Sequence, residues 1–380
     1  MYKSKLLYVV QLPPPFHGVS SMNAMVVADV QLNKDAEVHV VPMGFARSLE
    51  DIDRLNVRKA FRMFTFMAQM ASKLVTWKPD VVYFTPVATG PAFIRDLLPM
   101  LLWRIAGVTR IYHLHGLGIA NKKQVYWRTL YRLAFSGAHV VSISAVMQEQ
   151  ELAWLGPGAI KRHVVPNTIP LDQTGANTGT SVRPTEEAST LVRLLFLSAT
   201  FPSKGIFVLL KAMEILRARH GQTVQLEIVG DSRREIDDEI RQYVKSRELG
   251  DLVVQRGALF GEDKMEAFHR ADIFVHPTLR DYFPLVLLEA MQLGLPLVAT
   301  QVGAINEIVD PDVNGLICRP DDAEDLANAI SKLVSSEEKR RQFGAASRER
   351  FERHFSRDRF RQNLGEVFRA AGINSHASAS

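Results

Sequence analysis

The sequence predicts an α/β protein made of two doubly wound parallel-sheet domains. Three observations carry this. Short apolar runs rich in Val, Ile and Phe alternate with helical stretches along nearly the whole chain, the pattern of strands buried on both faces. A length of 380 residues is enough for about two domains. A polar stretch rich in Gly, Thr and Ser, from Asp172 to Thr190, separates two series of such runs and reads as a linker.

The first series places strands at 6–10, 38–41, 81–84, 110–114, 140–143 and 163–165. The second places them at 194–197, 224–229, 252–256, 273–276, 297–299 and 316–318. Residues 335–372 read as strongly charged helices. The small polar tail 374–380 is expected to be disordered. Cys318 is the only cysteine, which rules out an internal disulfide and points to a reducing, cytoplasmic setting. No apolar run approaches the ~18 residues of a membrane span. The run from Leu97 to Trp103 is short and bracketed by Arg95 and Arg104. Leu6 to Val10 is too short for a signal-peptide core and reads as a first buried strand.

Charge is uneven. Residues 1–180 carry 19 Lys and Arg against 11 Asp and Glu; the remainder carries 27 against 30. Two segments mix the positive charge with aromatic residues, Arg58 to Met67 and Lys122 to Arg132. One reading is a pair of amphipathic helices with solvated outer faces. The other is a surface that rests on anionic lipid headgroups, placing the protein at the inner face of the cell membrane. No nucleic-acid-binding motif is present, so nucleic acid is not an expected partner.

The chemistry concentrates in the second half. In Asp281-Tyr-Phe-Pro-Leu-Val-Leu-Leu-Glu289, an acid opens a loop and Pro284 suits the first position of a helix. The N–H groups of Leu285 and Val286 would then point out of the helix start and favour an anion. Glu289, one turn along, suits two neighbouring sugar hydroxyls, as the acidic residue does in dinucleotide folds. Alone, two acids at this spacing more often mean a solvated helix and an ordinary loop. Lys204-Gly205 stands at a strand-to-helix junction, where a lysine can meet a diphosphate as a point charge. Leu226-Glu-Ile-Val-Gly-Asp231 ends another strand in a glycine, Gly230, at the same sheet edge.

Taken in order, Lys204-Gly205, Ile228 to Asp231, Ala271 to Pro277, Asp281 to Leu295, Val302 to Val309 and Val313 to Leu316 resemble the nucleotide-sugar domain of glycosyltransferase family 4. The resemblance covers Leu194 to about Leu333. It implies the GT-B fold, two Rossmann-like domains facing a cleft, with a C-terminal helix, 358–373, returning to the first domain. The domain limits are then 1–171 and 191–357, joined by the linker 172–190. It also implies transfer from a nucleotide diphosphate sugar to a glycan or lipid-linked acceptor, with retention at the anomeric carbon. The setting would be bacterial surface-polysaccharide or glycolipid assembly.

By the same resemblance, Glu289 holds the ribose, and Lys204 with the Leu285 and Val286 amides stabilises the diphosphate. Gly230, Phe283 and Pro284 line the donor site. Asp281 and His115 orient the donor sugar. His115 follows the strand that ends at Leu114, and His113 lies two residues back on the same strand face. Gly18, in Pro13-Pro-Pro-Phe-His-Gly18, resembles the family's glycine loop after the first strand, where backbone approaches a ligand closely; a plain proline-rich surface loop is the alternative. Val141 to Ser144 and Val165 to Asn167 resemble two further family landmarks. No Asp-x-Asp metal motif is well placed, so neither metal nor cofactor is expected beyond the nucleotide-sugar co-substrate.

Two positions depart from the family. Asp281 replaces the usual Glu, shortening the acid by about 1.5 Å. Ser198-Ala199 stands where many members carry Gly-Arg, removing a phosphate-neutralising cation. These changes keep a non-catalytic GT-B scaffold open as a reading; a nucleotide-sugar epimerase, which can share the architecture, and a simple binding module also remain.

Overall fold

A computed structural model describes residues 3–14, 18–43, 57–156, 158–169 and 191–373, with side chains left out for 57–62. Pro15 to His17, the linker 172–190 and the tail 374–380 lie outside the described residues. The chain divides into two compact units, Met1–Pro170 with Arg357–Ser380, and Leu171–Ser356.

Unit 1 runs β1 (Ser4–Val10), α1 (Gly18–Ala28), β2 (Ala36–Pro42), α2 (Val57–Thr76), β3 (Val81–Phe84), α3 (Gly90–Ile105), β4 (Thr109–Leu114), α4 (Val125–Phe135), β5 (His139–Ser142), α5 (Ala145–Leu152) and β6 (Lys161–Val164). Its sheet has the order β2-β1-β3-β4-β5-β6, with every pair parallel. Strand order therefore reverses once, between β1 and β3. Strands such as Val81–Phe84 are buried at every position, which is why they read as continuous apolar runs and not as alternating ones.

Unit 2 runs β7 (Val192–Leu197), α6 (Ile206–His220), β8 (Val224–Val229), α7 (Arg234–Ser246), β9 (Val253–Gly257), α8 (Gly261–Arg270), β10 (Ile273–His276), α9 (Leu285–Gln292), β11 (Leu297–Thr300), α10 (Ile305–Ile308), β12 (Gly315–Cys318), α11 (Ala323–Val334) and α12 (Glu337–His354). The sheet order is β12-β11-β10-β7-β8-β9, again all parallel. The reversal lies between β7 and β10, and ligands of such sheets bind where strand order reverses, beyond the carboxyl ends of the strands.

The last helix, α13 (Arg357–Ala370), belongs to unit 1. Its apolar residues Phe360, Leu364, Val367 and Phe368 fall on one face and pack with Leu6, Tyr8 and Tyr83. Burying each large side chain contributes about 1.5–3 kcal/mol. Arg361 Nε lies 3.1 Å from both carboxylate oxygens of Asp29. Burial alone would raise the pKa of Asp29, but hydrogen bonds from Leu32 and Arg361 and the charges of Arg361 and Arg357 lower it. The helix expected to return to the first domain does so through this apolar face and the ion pairs beside it.

Candidate functional site

Three loops interlock at the carboxyl edge of the second sheet. After β7 the chain makes a short 3-10 turn, Pro202–Lys204, and enters α6 through Gly205 at φ 79°. A Cβ at Gly205 would lie 1.8 Å from the Pro277 carbonyl oxygen, so only glycine fits. The loop after β10 is sewn to this turn: the Leu279 N–H donates to Ser203 O at 2.9 Å, and the Thr278 hydroxyl donates to the same oxygen at 3.3 Å. Thr300 Oγ1 donates to Thr278 O at 2.5 Å and fixes the loop from β11. The loop after β8 joins them, because Gly230 packs directly on the Ser198 carbonyl and Thr200 N–H donates to Asp231 O at 3.0 Å.

Two lysine–carboxylate pairs stand on this frame. Lys204 Nζ lies 2.5 Å from Asp281 Oδ2, and His276 Nε2 approaches the same oxygen at 3.4 Å. The other carboxylate oxygen, Oδ1, accepts the Tyr282 N–H at 2.8 Å. Burial would raise the pKa of Asp281; the hydrogen bonds from His276 and Lys204 and the lysine's charge outweigh it and hold the carboxyl well below the usual carboxylate range. Eight residues on, Glu289 is paired at 2.8 Å with Lys264 of α8. Lys264 and the Asp281 partner His276 are site residues that sequence reasoning missed. His276 appeared only as part of a strand pattern, and no local signal links Lys264 to Glu289.

Between the two acids, α9 begins at Leu285, one residue later than expected. Pro284 is its N-cap, at φ −67° and ψ 113°, and not its first helical residue. The first helical bond runs from Leu287 N–H to Pro284 O at 3.1 Å, so the Leu285 and Val286 amides precede it. Both residues are half-buried. Phe283 is buried, its ring edge-on to Phe355 with centroids 6.0 Å apart, so its side chain anchors the loop to the segment after α12. Lys204, Gly230, Asp281, the Phe283–Val286 backbone and Glu289 thus share one sheet edge.

In unit 1, Gly18 opens α1, and Asn23 of that helix donates to Gln11 O at 3.0 Å and Thr85 Oγ1 at 3.2 Å. This ties together the ends of β1 and β3 at the other strand-order reversal. His115 follows β4, its ring 4.2 Å from that of His113. His113 is buried, its Nδ1 2.5 Å from the Tyr83 hydroxyl. Burial, and then the neighbouring His115, push the His113 pKa well down. The buried Glu151 accepts the Gly118 and Ala120 N–H groups at 3.0 Å each and so fixes the loop that carries His115.

Two parallel sheets, each with one reversal of strand order, are the architecture of the GT-B fold. Residues 180–350 match the family described as "Glycosyl transferases group 1", and residues 26–168 match the "Glycosyl transferase 4-like domain". The chain belongs to this group 1 and family 4-like type of glycosyltransferase. It is 24% identical over 345 residues to an uncharacterised glycosyltransferase of Methanocaldococcus jannaschii, covering 86% of this chain and 87% of that one. It is 25% identical over 236 residues to the gpi3 subunit of phosphatidylinositol N-acetylglucosaminyltransferase from Schizosaccharomyces pombe, 61% of this chain and 49% of that protein. The chain therefore spans about half the length of the yeast subunit. The fold recurs in a Rickettsia africae glycosyltransferase, with TM-score 0.76, 18% identity and coverage of 99% and 100%. It recurs also in Anabaena HepE, solved with UDP and glucose, with TM-score 0.69, 20% identity and coverage of 97% and 100%.

Proposed function

We propose that this chain transfers a sugar, with retention, from a nucleoside diphosphate sugar to a glycan or lipid-linked acceptor, without a metal. The observation that carries the reading is the meeting of Lys204, the start of α9 and Glu289 at the β7/β10 reversal. In this reading the nucleotide lies on unit 2. Glu289 accepts hydrogen bonds from the ribose hydroxyls. The Leu285 and Val286 amides and the Lys204 ammonium take up the charge that grows on the diphosphate as the sugar leaves, which is leaving-group stabilisation by preorganised charge. In unit 1 the same reading gives Gly18 and His115 ligand contacts. HepE, a protein of the same fold, was solved with UDP, which supports a diphosphate donor here. A screen of nucleoside diphosphate sugars by thermal shift, followed by transfer assays in EDTA, tests it: one donor should raise Tm by mass action, and no shift with any donor overturns it.

The acceptor is proposed to be presented at an anionic membrane. Among the described residues no helix is long and apolar enough to cross a bilayer. Unit 1 nevertheless exposes Phe64 and Val75 on α2, Ile94, Leu98 and Ile105 on α3, and Val125, Tyr126 and Leu133 on α4. The spacing of the three α3 residues sets them on one face, and Lys122, Lys123, Arg128 and Arg132 stand nearby in sequence. Part of this charge is already engaged: Lys122 lies over Trp127, and Arg128 and Arg132 over Trp154. Flotation with anionic vesicles, lost at high salt, is the expected result; equal flotation with neutral vesicles counts against it. A surface role in bacteria belongs to this proposal and is tested by loss of surface glycan on deletion.

A further inference from the structure

In the proposed reaction Lys204 meets the donor diphosphate, and the following inference rests on that reading. Each oxygen of the carboxylate at 281 already has a partner within the protein. Oδ2 faces Lys204 at 2.5 Å and His276 at 3.4 Å, and Oδ1 accepts its neighbour's amide at 2.8 Å. The backbone that carries it cannot swing forward freely. Gly303, at φ 58°, presses on it so closely that a Cβ there would lie 2.5 Å from Asp281 O and 2.8 Å from Tyr282 O. The Ala304 N–H, donating to Tyr282 O at 2.9 Å, holds the same point. With the backbone clamped, reach depends on side-chain length, and Asp is about 1.5 Å shorter than Glu. His276 closes the remaining side and is itself almost wholly buried.

We infer that Asp281 acts as the fixed counter-ion of Lys204: it aims the ammonium and moderates its pull on the diphosphate, and it does not grip the donor sugar. His276 is a positioning residue that holds Asp281 in this role. Three facts support it together. Both oxygens have partners within the protein, the loop is braced from behind, and the carboxyl stays ionised far below neutral pH. The diphosphate site then presents a neutralised lysine beside the α9 start. A nucleoside diphosphate product is held less tightly than by a bare lysine, which favours release.

The test is calorimetric titration of the full chain with UDP, GDP and ADP, and with the matching glucose-bearing nucleotides, for wild type and the isosteric D281N. Removing a negative charge beside the phosphate site should tighten nucleoside diphosphate binding about five-fold or more, and the gain should vanish when Lys204→Met is added. Donor KM and kcat should fall together, since release slows. His276→Gln should shift the same affinity in the same direction by a smaller factor. If D281N leaves diphosphate affinity within two-fold while weakening only the sugar-bearing nucleotide, the acid grips the sugar and the inference is overturned. Weaker diphosphate binding in D281N overturns it as well. Should D281N not fold, Asp281→Ser removes the same charge and is read in the same way. Absence of any nucleotide binding by wild type overturns the donor site itself, and this assignment with it; binding without tightening overturns this assignment alone.

Discussion

Each sheet reverses its strand order once, and the two reversal points are tied by different chemistry. In unit 1 a neutral amide does the tying: Asn23, almost wholly buried, bonds Gln11 O and Thr85 Oγ1. In unit 2 the tie beside the backbone bonds is ionic, Lys204 to Asp281, with Lys264 to Glu289 close by. The four side chains of the ionic pairs keep 17–25% of their surface exposed. Pairs in contact with water contribute little to folding, typically 0–1 kcal/mol, whereas a buried amide contributes through bonds that water cannot replace. The comparison separates an edge tied for stability from one whose charges are proposed to serve a ligand.

The largest expected difference follows directly. Lys204→Ala and Glu289→Ala should each lower transfer by about 10²–10³-fold, the usual cost of losing one preorganised charge or donor, and leave Tm close to wild type. A large loss of Tm in these variants, seen by calorimetry, would mean the charges hold the fold and erase the contrast.

That contrast was only partly legible in the sequence. All twelve strands among the described residues were readable, and 81–84, 224–229 and 273–276 agree to the residue with β3, β8 and β10. They were readable because a strand buried on both faces needs an unbroken apolar run, which is a local signal. The unit 2 residues from Asp281 to Glu289 were readable for the same reason: they lie on one loop and one helix. The partners were not. Lys264 stands 25 residues before Glu289 on another helix, and only the packing of α8 beside α9 brings them together. Pro284 was placed one residue too far into the helix, since its fixed φ suits a cap as well as a first turn. In unit 1, His139 meets Lys161 only because β5 and β6 pair in that register.

That histidine gives the second prediction. His139 is buried; burial, then Lys161 and His163, depress its pKa to about 4. His113 and His163 are lowered too, chiefly by burial. A histidine depressed in the folded state must be neutral there, while the unfolded chain protonates near pH 6.5. Stability is therefore complete above about pH 6.5 and lost as pH falls toward 4, by about 2 kcal/mol for His139 at pH 5. Asp281 is depressed from a much lower starting point, so it stays ionised and takes up no proton in that window. Hydrogen exchange at pH 5 should therefore open the amides of β4 and β5 before those of β7 and β10. The reverse order would show that the buried histidines do not govern acid stability, and His139→Gln should flatten the pH dependence.

A smaller effect tests the neutral tie itself. Asn23→Ala removes both hydrogen bonds at the β1/β3 reversal and should cost about 1–2 kcal/mol in urea unfolding, with transfer reduced no more than stability explains. A loss of transfer at unchanged stability would instead give that edge a ligand-binding role.

The smallest expected effect falls on Lys264. Its ammonium lies 2.8 Å from Glu289 and 6.0 Å from the Phe268 ring centroid, so it holds the carboxylate from the side of α8. If Glu289 binds ribose hydroxyls, Lys264→Met loosens the carboxylate and weakens a ribonucleoside diphosphate about five-fold, on the scale of one ordinary hydrogen bond. The same substitution should leave the affinity for the matching 2′,3′-dideoxynucleoside diphosphate unchanged, because that ligand offers the carboxylate nothing to bind. Equal losses for both ligands would mean that Lys264 contacts the phosphates or the base directly. The charged edge of unit 2 would then have two working lysines, Lys204 and Lys264, in place of one lysine and a braced acid.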